Sequence, residues 1–193
     1  MKRTLLLMLL FATSVLGFAA QKTITVSTGT TDLVMQVAPN GRLYQVYLGD
    51  RLTDPSEYDK LDWSVYAASD GAVCKRGHEV CATSGAEDFF EPALAITHAD
   101  GNMTTYLYYK DMATRAVDGG VETVITLQDK AYPVTVRLHY VAYAKENVIK
   151  AWSEIEHKEK SPITLFRYSS TMLYFRASQY FLTSYHSDWA REG

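Results

Sequence analysis

The chain has 193 residues, of which 47% are hydrophobic and 21% charged, and its formal net charge is −3. This balance is typical of a globular protein with one main domain and excludes an intrinsically disordered chain. The weak negative charge gives no reason to expect nucleic acid or an anionic membrane as a partner.

The first twenty residues have the pattern of an export signal. Two basic residues, at positions 2 and 3, precede an apolar run at residues 5–18, and small residues follow at 19 and 20. The run is too short to span a membrane, and no second apolar stretch follows it at once. The pattern predicts a signal peptide at residues 1–20. The mature chain, residues 21–193, is then exported to the periplasm or the extracellular space without a membrane anchor.

The mature chain opens with three segments that alternate like strands, at residues 22–26, 33–38 and 43–48. Asn40-Gly41 lies between the second and the third, and this dipeptide tolerates the positive φ angles of a tight hairpin turn. The polar stretch 49–61 contains a proline and has no sustained period, which indicates a loop with one helical turn.

Both cysteines of the chain lie in a loop-like stretch that follows a short apolar run at residues 63–69. Cys74 and Cys81 are seven positions apart, with Gly77 between them for a turn. In an oxidising compartment this spacing favours a disulfide that closes a hairpin. A metal site that also uses His78 lacks a fourth ligand, and two free buried thiols are the remaining alternative.

The middle of the chain continues with short strands. Residues 94–98 have the composition of a strand, Asp100-Gly101-Asn102 that of a tight turn, and residues 103–109 that of a tyrosine-rich strand. A charged bend is expected after residue 109, before Gly119-Gly120.

Residues 121–175 alternate with a period of two and organise the rest of the chain. In residues 121–127 the alternation assigns Val121 to the buried face and Glu122 to the polar one, and similar patterns follow at 134–142 and 148–157. With a further segment at 162–175, they predict an antiparallel meander of four strands. The whole chain therefore predicts an all-β fold, an antiparallel two-sheet β-sandwich.

The residues carry few signs of catalysis. No hydrolase, metalloprotease or nucleotide-binding motif is present, and the sequence indicates no metal, no cofactor and no catalytic carboxylate pair. His139 and His157 fall on the polar faces of strands, which predicts solvated side chains. The most suggestive cluster is the acidic and aromatic stretch at residues 87–92, EDFFEP. It suits either a sugar site or an ordinary surface loop anchored by two buried phenylalanines.

Several motifs in a fixed order resemble a known family. The stretch Asp-Phe-x-x-Pro-Ala at residues 88–93 is followed by His-Ala-Asp-Gly-Asn at 98–102, then by VRLHYVAY, ENVIKAWSEIE and PITLFRYSSTM, and finally by SDWARE at 187–192. Together they resemble the N-terminal β-supersandwich domain of family 36 glycoside hydrolases, the bacterial α-galactosidases. The resemblance covers nearly all of the mature chain.

The resemblance implies a sugar-contacting role for Asp88, in a loop that reaches toward a substrate pocket, in some members that of a neighbouring subunit of a homo-oligomer. In the family an arginine usually follows the aromatic residue, whereas here Phe90 takes its place, so an arginine contact is excluded. The family's catalytic aspartates lie in a (β/α)8 barrel that follows this domain. We expect that barrel to be missing from this chain, truncated after residue 193, so no catalytic residue is assigned.

Two functions remain open on these grounds. The first is the non-catalytic N-terminal domain of an exported α-galactosidase-type hydrolase, acting on galactose-containing oligosaccharides or polysaccharides. The second is a free-standing β-sandwich that binds carbohydrate or serves a structural role.

Overall fold

The computed structural model describes residues 22–58, 60–61, 78–85, 91–175, 178–181 and 183–184. The predicted signal peptide and the apolar run at 63–69 therefore lie outside the described residues. Within them the chain forms one short helix and nine strands: β1 (Lys22–Ser27), β2 (Thr31–Val37), β3 (Leu43–Asp50), α1 (Pro55–Tyr58), β4 (Leu94–Thr97), β5 (Leu107–Val117), β6 (Gly120–Asp129), β7 (Val134–Tyr143), β8 (Val148–His157) and β9 (Thr164–Tyr168).

The strands form three antiparallel sheets, in the orders β1-β2-β3, β4-β9 and β5-β6-β7-β8. Residues 78–84 connect the first two sheets edge to edge. The Val80 amide donates to the Leu43 carbonyl at 3.0 Å, and the Ser84 amide donates to the Leu94 carbonyl at 3.0 Å. These bonds join β1-β2-β3 and β4-β9 into one layer that faces the four-stranded sheet. The predicted all-β, two-sheet antiparallel sandwich is confirmed.

The core lies between the two layers and follows the predicted period of two. In β7, Val134, Val136, Leu138 and Tyr140 all point inward and are buried. They pack against Leu33 and Met35 of β2 and against Leu94 and Ile96 of β4, so one hydrophobic cluster holds all three sheets. Burial of these side chains is the main force that stabilises the sandwich.

Two turns form where the sequence predicted them. Gly41 has a φ of +79° in the hairpin between β2 and β3, and the Asn40 side chain accepts a hydrogen bond from the Arg42 amide at 2.9 Å. Gly101 has a φ of +87° in the turn after β4, closed by the His98 amide, which donates to the Asn102 carbonyl at 2.8 Å. Glycine fits both positions because it alone carries no Cβ to clash at positive φ.

A side-chain amide ties the two layers together at one end. Asn147 has a φ of +55° in the turn between β7 and β8. Its side-chain oxygen accepts hydrogen bonds from the Thr28 hydroxyl and, at 3.2 Å, from the Thr30 amide. Gly29 lies against the same turn, where a Cβ would come within 2.7 Å of the Ala144 carbonyl oxygen. The turn between β1 and β2 is therefore held against the turn between β7 and β8.

The composition of the predicted meander was partly wrong. The four-stranded sheet consists of β5 to β8, whereas β9, in the segment expected to supply the fourth strand, pairs with β4 in the other layer. The charged bend expected after residue 109 is also wrong, because β5 continues to Val117. A register shift at Lys110 accommodates one extra residue, and an edge strand can keep charged side chains in water.

Candidate functional site

The acidic loop that contains Asp88, residues 86–90, lies outside the described residues, so its predicted sugar contact stays a prediction. Its flanks are described. Ser84, just before it, bonds to β4, and Glu91, just after it, forms an ion pair with Arg167 of β9. Both flanks, at residues 84 and 91, therefore lie beside the pairing of β4 with β9.

Only one of the two cysteines in the predicted disulfide is described, because Cys74 lies outside the described residues. Cys81 is buried in the core, and this burial raises the pKa of its thiol to about 12. A thiol of such high pKa is a poor nucleophile, so Cys81 does not have the environment of a catalytic cysteine. The disulfide with Cys74 remains a prediction. His78, the third candidate ligand, stacks on the ring of Tyr174 at 4.4 Å between ring centres.

The motif at residues 98–102 places His98 in a buried relay of hydrogen bonds. One ring nitrogen, Nδ1, lies 2.8 Å from Glu159 Oε1, and the other, Nε2, lies 2.9 Å from Thr105 Oγ1. The order hydroxyl, imidazole, carboxylate is that of a hydrolase triad. Thr105, however, is 0% exposed, and the imidazole stacks on Tyr132 with 3.6 Å between ring centres. No substrate can reach the hydroxyl, so the relay serves to fix the turn.

The expectation of a solvated His139 was wrong. Its side chain is buried, it stacks on Trp152 at 4.6 Å, and its Nδ1 lies 2.8 Å from Glu122 Oε1. Glu122 is 1% exposed and also accepts a hydrogen bond from Arg115. These bonds, that from His139 first, hold the pKa of Glu122 below its usual value.

The same region overturns the assignment of Val121 to the buried face. Val121 lies beside the turn at Gly119, at the end of the sheet, and is 51% exposed. The period of two was correct. It cannot show, however, that Glu122 and His139 on the outer face are buried against each other, or that Val121 lies beyond the end of the core. The solvated position predicted for His157, at the end of β8, is confirmed.

A second buried ion pair was also missed by sequence reasoning. Arg42 Nε donates to Glu79 Oε1 at 2.7 Å and Arg42 Nη2 donates to Glu79 Oε2 at 2.8 Å, with both side chains about 95% buried. The bidentate geometry satisfies both carboxylate oxygens. Both side chains are buried and hydrogen-bonded to each other, so neither is available as a reactive group. The pair instead anchors residues 78–85 to the hairpin turn.

The described residues contain no group of three His, Cys, Asp or Glu side chains arranged to hold a metal ion. Within the same ranges, no helix has the length and apolar character needed to cross a bilayer.

An apolar ribbon covers the C-terminal end of the described chain. We use this name for the large hydrophobic side chains exposed there: Leu165, Phe166, Tyr168, Leu173, Phe175, Tyr180 and Phe181. Phe166 is 77% exposed and Phe181 is 91% exposed. All five residues of β9 are exposed, although its partner β4 is buried. Seven exposed large hydrophobic side chains among the described residues from 165 to 181 are unusual for a soluble monomer, and exposed apolar surface of this kind marks interaction sites.

A pocket of about 310 Å³ opens beside the ribbon at one edge of the sandwich. Leu173 and Phe175 of the ribbon form one side of it, and Tyr140 and Ile149 form another. Its lining is mainly apolar, and it is large enough to hold a bulky side chain from another polypeptide segment.

Comparisons with known proteins agree with the fold. Residues 41–193 match the family model described as the glycosyl hydrolase family 36 N-terminal domain. The α-galactosidase from Lactobacillus brevis superimposes with a TM-score of 0.67 at 18% identity, covering 79% of this chain and 24% of that chain. The α-galactosidase AgaB from Geobacillus stearothermophilus gives a TM-score of 0.64 at 24% identity, covering 78% and 23% of the two chains.

A variant of the α-galactosidase AgaA from Geobacillus stearothermophilus, solved in complex with raffinose, gives a TM-score of 0.63 at 23% identity. It covers 78% of this chain and 24% of that chain. No curated protein matches the chain. The chain thus spans about a quarter of the length of these α-galactosidases.

Proposed function

Since this chain belongs to the N-terminal domain family of the family 36 glycoside hydrolases, we propose that it is the non-catalytic N-terminal domain of an exported α-galactosidase-type enzyme. Its substrates are galactose-containing oligosaccharides or the galactose side chains of polysaccharides. Structures of AgaA variants in complex with raffinose and with stachyose support this substrate class. The signal pattern at residues 1–20 supports export.

The apolar ribbon is the observation that carries this proposal. Exposed to water, its phenylalanine and tyrosine rings lose the hydrophobic stabilisation that burial gives, about 25 cal/mol for each Å² covered. The similar α-galactosidase chains are about four times as long as the part that this chain covers. We assign the ribbon to the contact with the catalytic part of the full-length enzyme, and the pocket beside it to one anchoring side chain.

The ribbon also gives the acidic loop a role. Leu94 pairs with Tyr168 and Ala95 with Arg167, and Arg167 in turn holds Glu91 at the end of the loop. A catalytic part that covers β9 therefore comes to lie beside the loop of Asp88. In this arrangement Asp88 accepts hydrogen bonds from sugar hydroxyls at the edge of the substrate pocket.

The alternative, a free-standing sandwich that binds carbohydrate or is structural, leaves the ribbon without a purpose. A protein that works alone gains nothing from seven exposed hydrophobic side chains and risks aggregation. The same ribbon is an advantage in a domain that is covered by the rest of its polypeptide.

The test compares one substitution in two settings. Phe166→Thr removes the ring and introduces a β-branched residue, which suits a strand. In the isolated chain it should leave the melting temperature nearly unchanged, whereas in the polypeptide that includes the catalytic part it should lower it. Val148→Thr, at a position outside the ribbon that is 50% exposed, is the control and should have no effect in either setting. Equal effects of Phe166→Thr in both settings would contradict the proposal.

Activity gives the second test. The mature chain alone should not hydrolyse an aryl α-galactoside, and the full-length enzyme should hydrolyse raffinose. Asp88→Ala in the full-length enzyme should lower kcat/KM by roughly ten- to a hundred-fold, since a lost charged hydrogen bond costs about 1.5–3 kcal/mol. Wild-type kinetics for this variant would reduce the loop to a surface turn.

A further inference from the structure

The outer face of the four-stranded sheet contains a polar groove that the proposed function does not use. Across the strands, Asp111 of β5 faces Thr126 of β6, which faces Arg137 of β7. The next row contains Gln128 and Thr135. The groove has a volume of about 310 Å³. It crosses all four strands, roughly 14 Å at the usual strand spacing, which suits a chain of sugar rings better than a single ring.

The charges that line the groove are nearly balanced. Lys110, Arg137 and Lys158 are opposed by Asp111 and Glu156. Arg137 Nη2 donates to Glu156 Oε2 at 2.7 Å, and Lys158 Nζ lies 3.2 Å from Glu156 Oε1. Arg137 is thereby fixed in the floor with further N–H groups available. A near-neutral groove with fixed charges of both signs favours a neutral polar ligand over an anion or a cation.

The floor also provides neutral hydrogen-bonding groups. Thr126, Thr135 and Gln128 are half-buried in the groove, and their side chains form no hydrogen bond within the described part of the chain. Other threonine hydroxyls of the domain are committed, such as those of Thr83 and Thr105. Two hydroxyls and a carboxamide, each able to donate and accept, match the mixed donor and acceptor pattern of sugar hydroxyls.

An aromatic side chain lies beside the groove at its β5 end: Tyr108, which is paired with Gln128 of β6. Lys110 and Gln128 also line a second concavity of about 380 Å³, whose other residues include Tyr108 and Tyr109. Lys130 Nζ lies 4.0 Å from the centre of the Tyr108 ring, on one of its faces, and this contact helps to fix the ring. Aromatic side chains combine an apolar ring with a polar hydroxyl, which suits the C–H patches and hydroxyls of a sugar.

We propose that this groove binds a neutral oligosaccharide, as a second carbohydrate site separate from the loop of Asp88. It lies on the outer face of one layer, whereas the apolar ribbon belongs to strand β9 of the other layer and to the segment after it. The groove therefore stays open when the ribbon is covered. The choice of a galactoside as a probe rests on the proposed function, but the groove itself does not depend on it.

The experiment titrates the mature chain with stachyose and, separately, with maltotetraose, following binding by calorimetry. The test variant is Thr126→Val with Thr135→Val, which removes both hydroxyls and keeps β-branched residues of nearly the same shape. The control is Thr114→Val, at an exposed position of β5 that does not line the groove. Melting curves verify that the three proteins are folded alike.

We expect saturable binding of at least one tetrasaccharide, an affinity at least ten-fold lower in the double variant, and unchanged affinity in the control. Binding of stachyose alone shows that the groove selects galactosides, and binding of both shows that it accepts neutral oligosaccharides in general. Absence of saturable binding, equal binding by the double variant, or a preference for an oligogalacturonate would overturn the proposal. None of these results depends on α-galactosidase activity, which is measured on the full-length enzyme.

Discussion

Two features of this domain depart from the usual arrangement: a few charged side chains are buried beside the hydrophobic core, and phenylalanines are exposed at the C-terminal end of the described chain. Inside, Arg42 and Glu79 satisfy each other through two hydrogen bonds, and His98 bonds to a partner at each ring nitrogen. Outside, β9 and the segment after it expose Phe166 and Phe181.

The buried polar pairs are complete within the domain, whereas the rings of Phe166 and Phe181 are left largely uncovered by the described part of the chain. A buried charge is tolerable only when its partner is present, so the internal pairs must be complete in the folded chain. An exposed ring is tolerated without a partner, at the cost of the stabilisation that burial would add. The buried polar pairs thus contribute to this domain's own stability, whereas the apolar ribbon, under the proposed function, serves its contact with the catalytic part.

The largest expected effect comes from breaking the interior pair. Arg42→Ala removes the guanidinium that binds the buried Glu79 carboxylate, and it should lower the free energy of unfolding by about 3–5 kcal/mol. Urea unfolding measures this loss. Arg137→Ala, which removes a partly exposed pair with Glu156, should cost far less because water screens it. Equal losses for the two variants would contradict the contrast between interior and surface.

The relay around His98 should give the next largest effect. His98→Phe keeps a flat ring against Tyr132 but removes two hydrogen bonds. The Thr105 hydroxyl and the Glu159 carboxylate then each lose one hydrogen-bond partner. The expected loss is about 1–3 kcal/mol, measured by thermal unfolding. His157→Phe, at the exposed end of β8, is the matched control and should leave the melting temperature almost unchanged.

Acid should weaken the Glu122 contact in a predictable direction. The pKa of Glu122 is held below its ordinary value of 4.5, so the carboxylate contributes stability above that pH, and this contribution is lost as the pH falls through the lowered pKa. Glu122→Gln should therefore be less stable than the wild type at pH 7, and the difference should shrink toward pH 3. Unfolding curves across this range test it. For Glu146→Gln, in an exposed turn, the free energy of unfolding should follow the same pH dependence as in the wild type. A stability difference between Glu122→Gln and the wild type that does not change with pH would contradict the role given to Glu122.

The smallest expected effect on stability comes from the ribbon. Phe166→Thr in the isolated chain should change the free energy of unfolding by no more than about 0.5 kcal/mol, as for most surface substitutions. It should nevertheless reduce the binding of a hydrophobic dye such as ANS, which reports exposed apolar surface. Val148→Thr should leave dye binding unchanged. A large loss of stability in Phe166→Thr would show that the ring already packs within the domain.

The sequence predicted most of the fold because its signals are local. Asn40-Gly41 predicted its hairpin from backbone preference alone, and the alternation of β7 predicted its buried face. The partner of β9 could not be predicted in this way, since pairing with β4 depends on contacts between segments far apart in the chain. The strand itself was visible as an apolar segment, but a period of two does not say to which sheet it belongs.

The candidate site was less accessible to sequence reasoning, for a related reason. His139 lies between the apolar residues Leu138 and Tyr140 of β7, so the period of two places it on the opposite face and indicates a solvated side chain. Its burial depends on Glu122 and Trp152 from the two neighbouring strands, which only the register brings together. The ribbon could have been suspected from the aromatic residues after position 164, but the sequence alone assigns such residues to a core.

The pairing of β4 with β9 has a consequence for the order in which the chain folds. All four strands of the other sheet lie between these two in the sequence, so the pairing closes a long loop and carries a large entropic cost. Strands β5 to β8 are neighbours in sequence and can zip together first, bringing the ends of that loop close. During synthesis, β4 therefore waits with an open edge until β9 has emerged. A chaperone that holds the nascent chain should meet β4 exposed for longer than any strand of the four-stranded sheet.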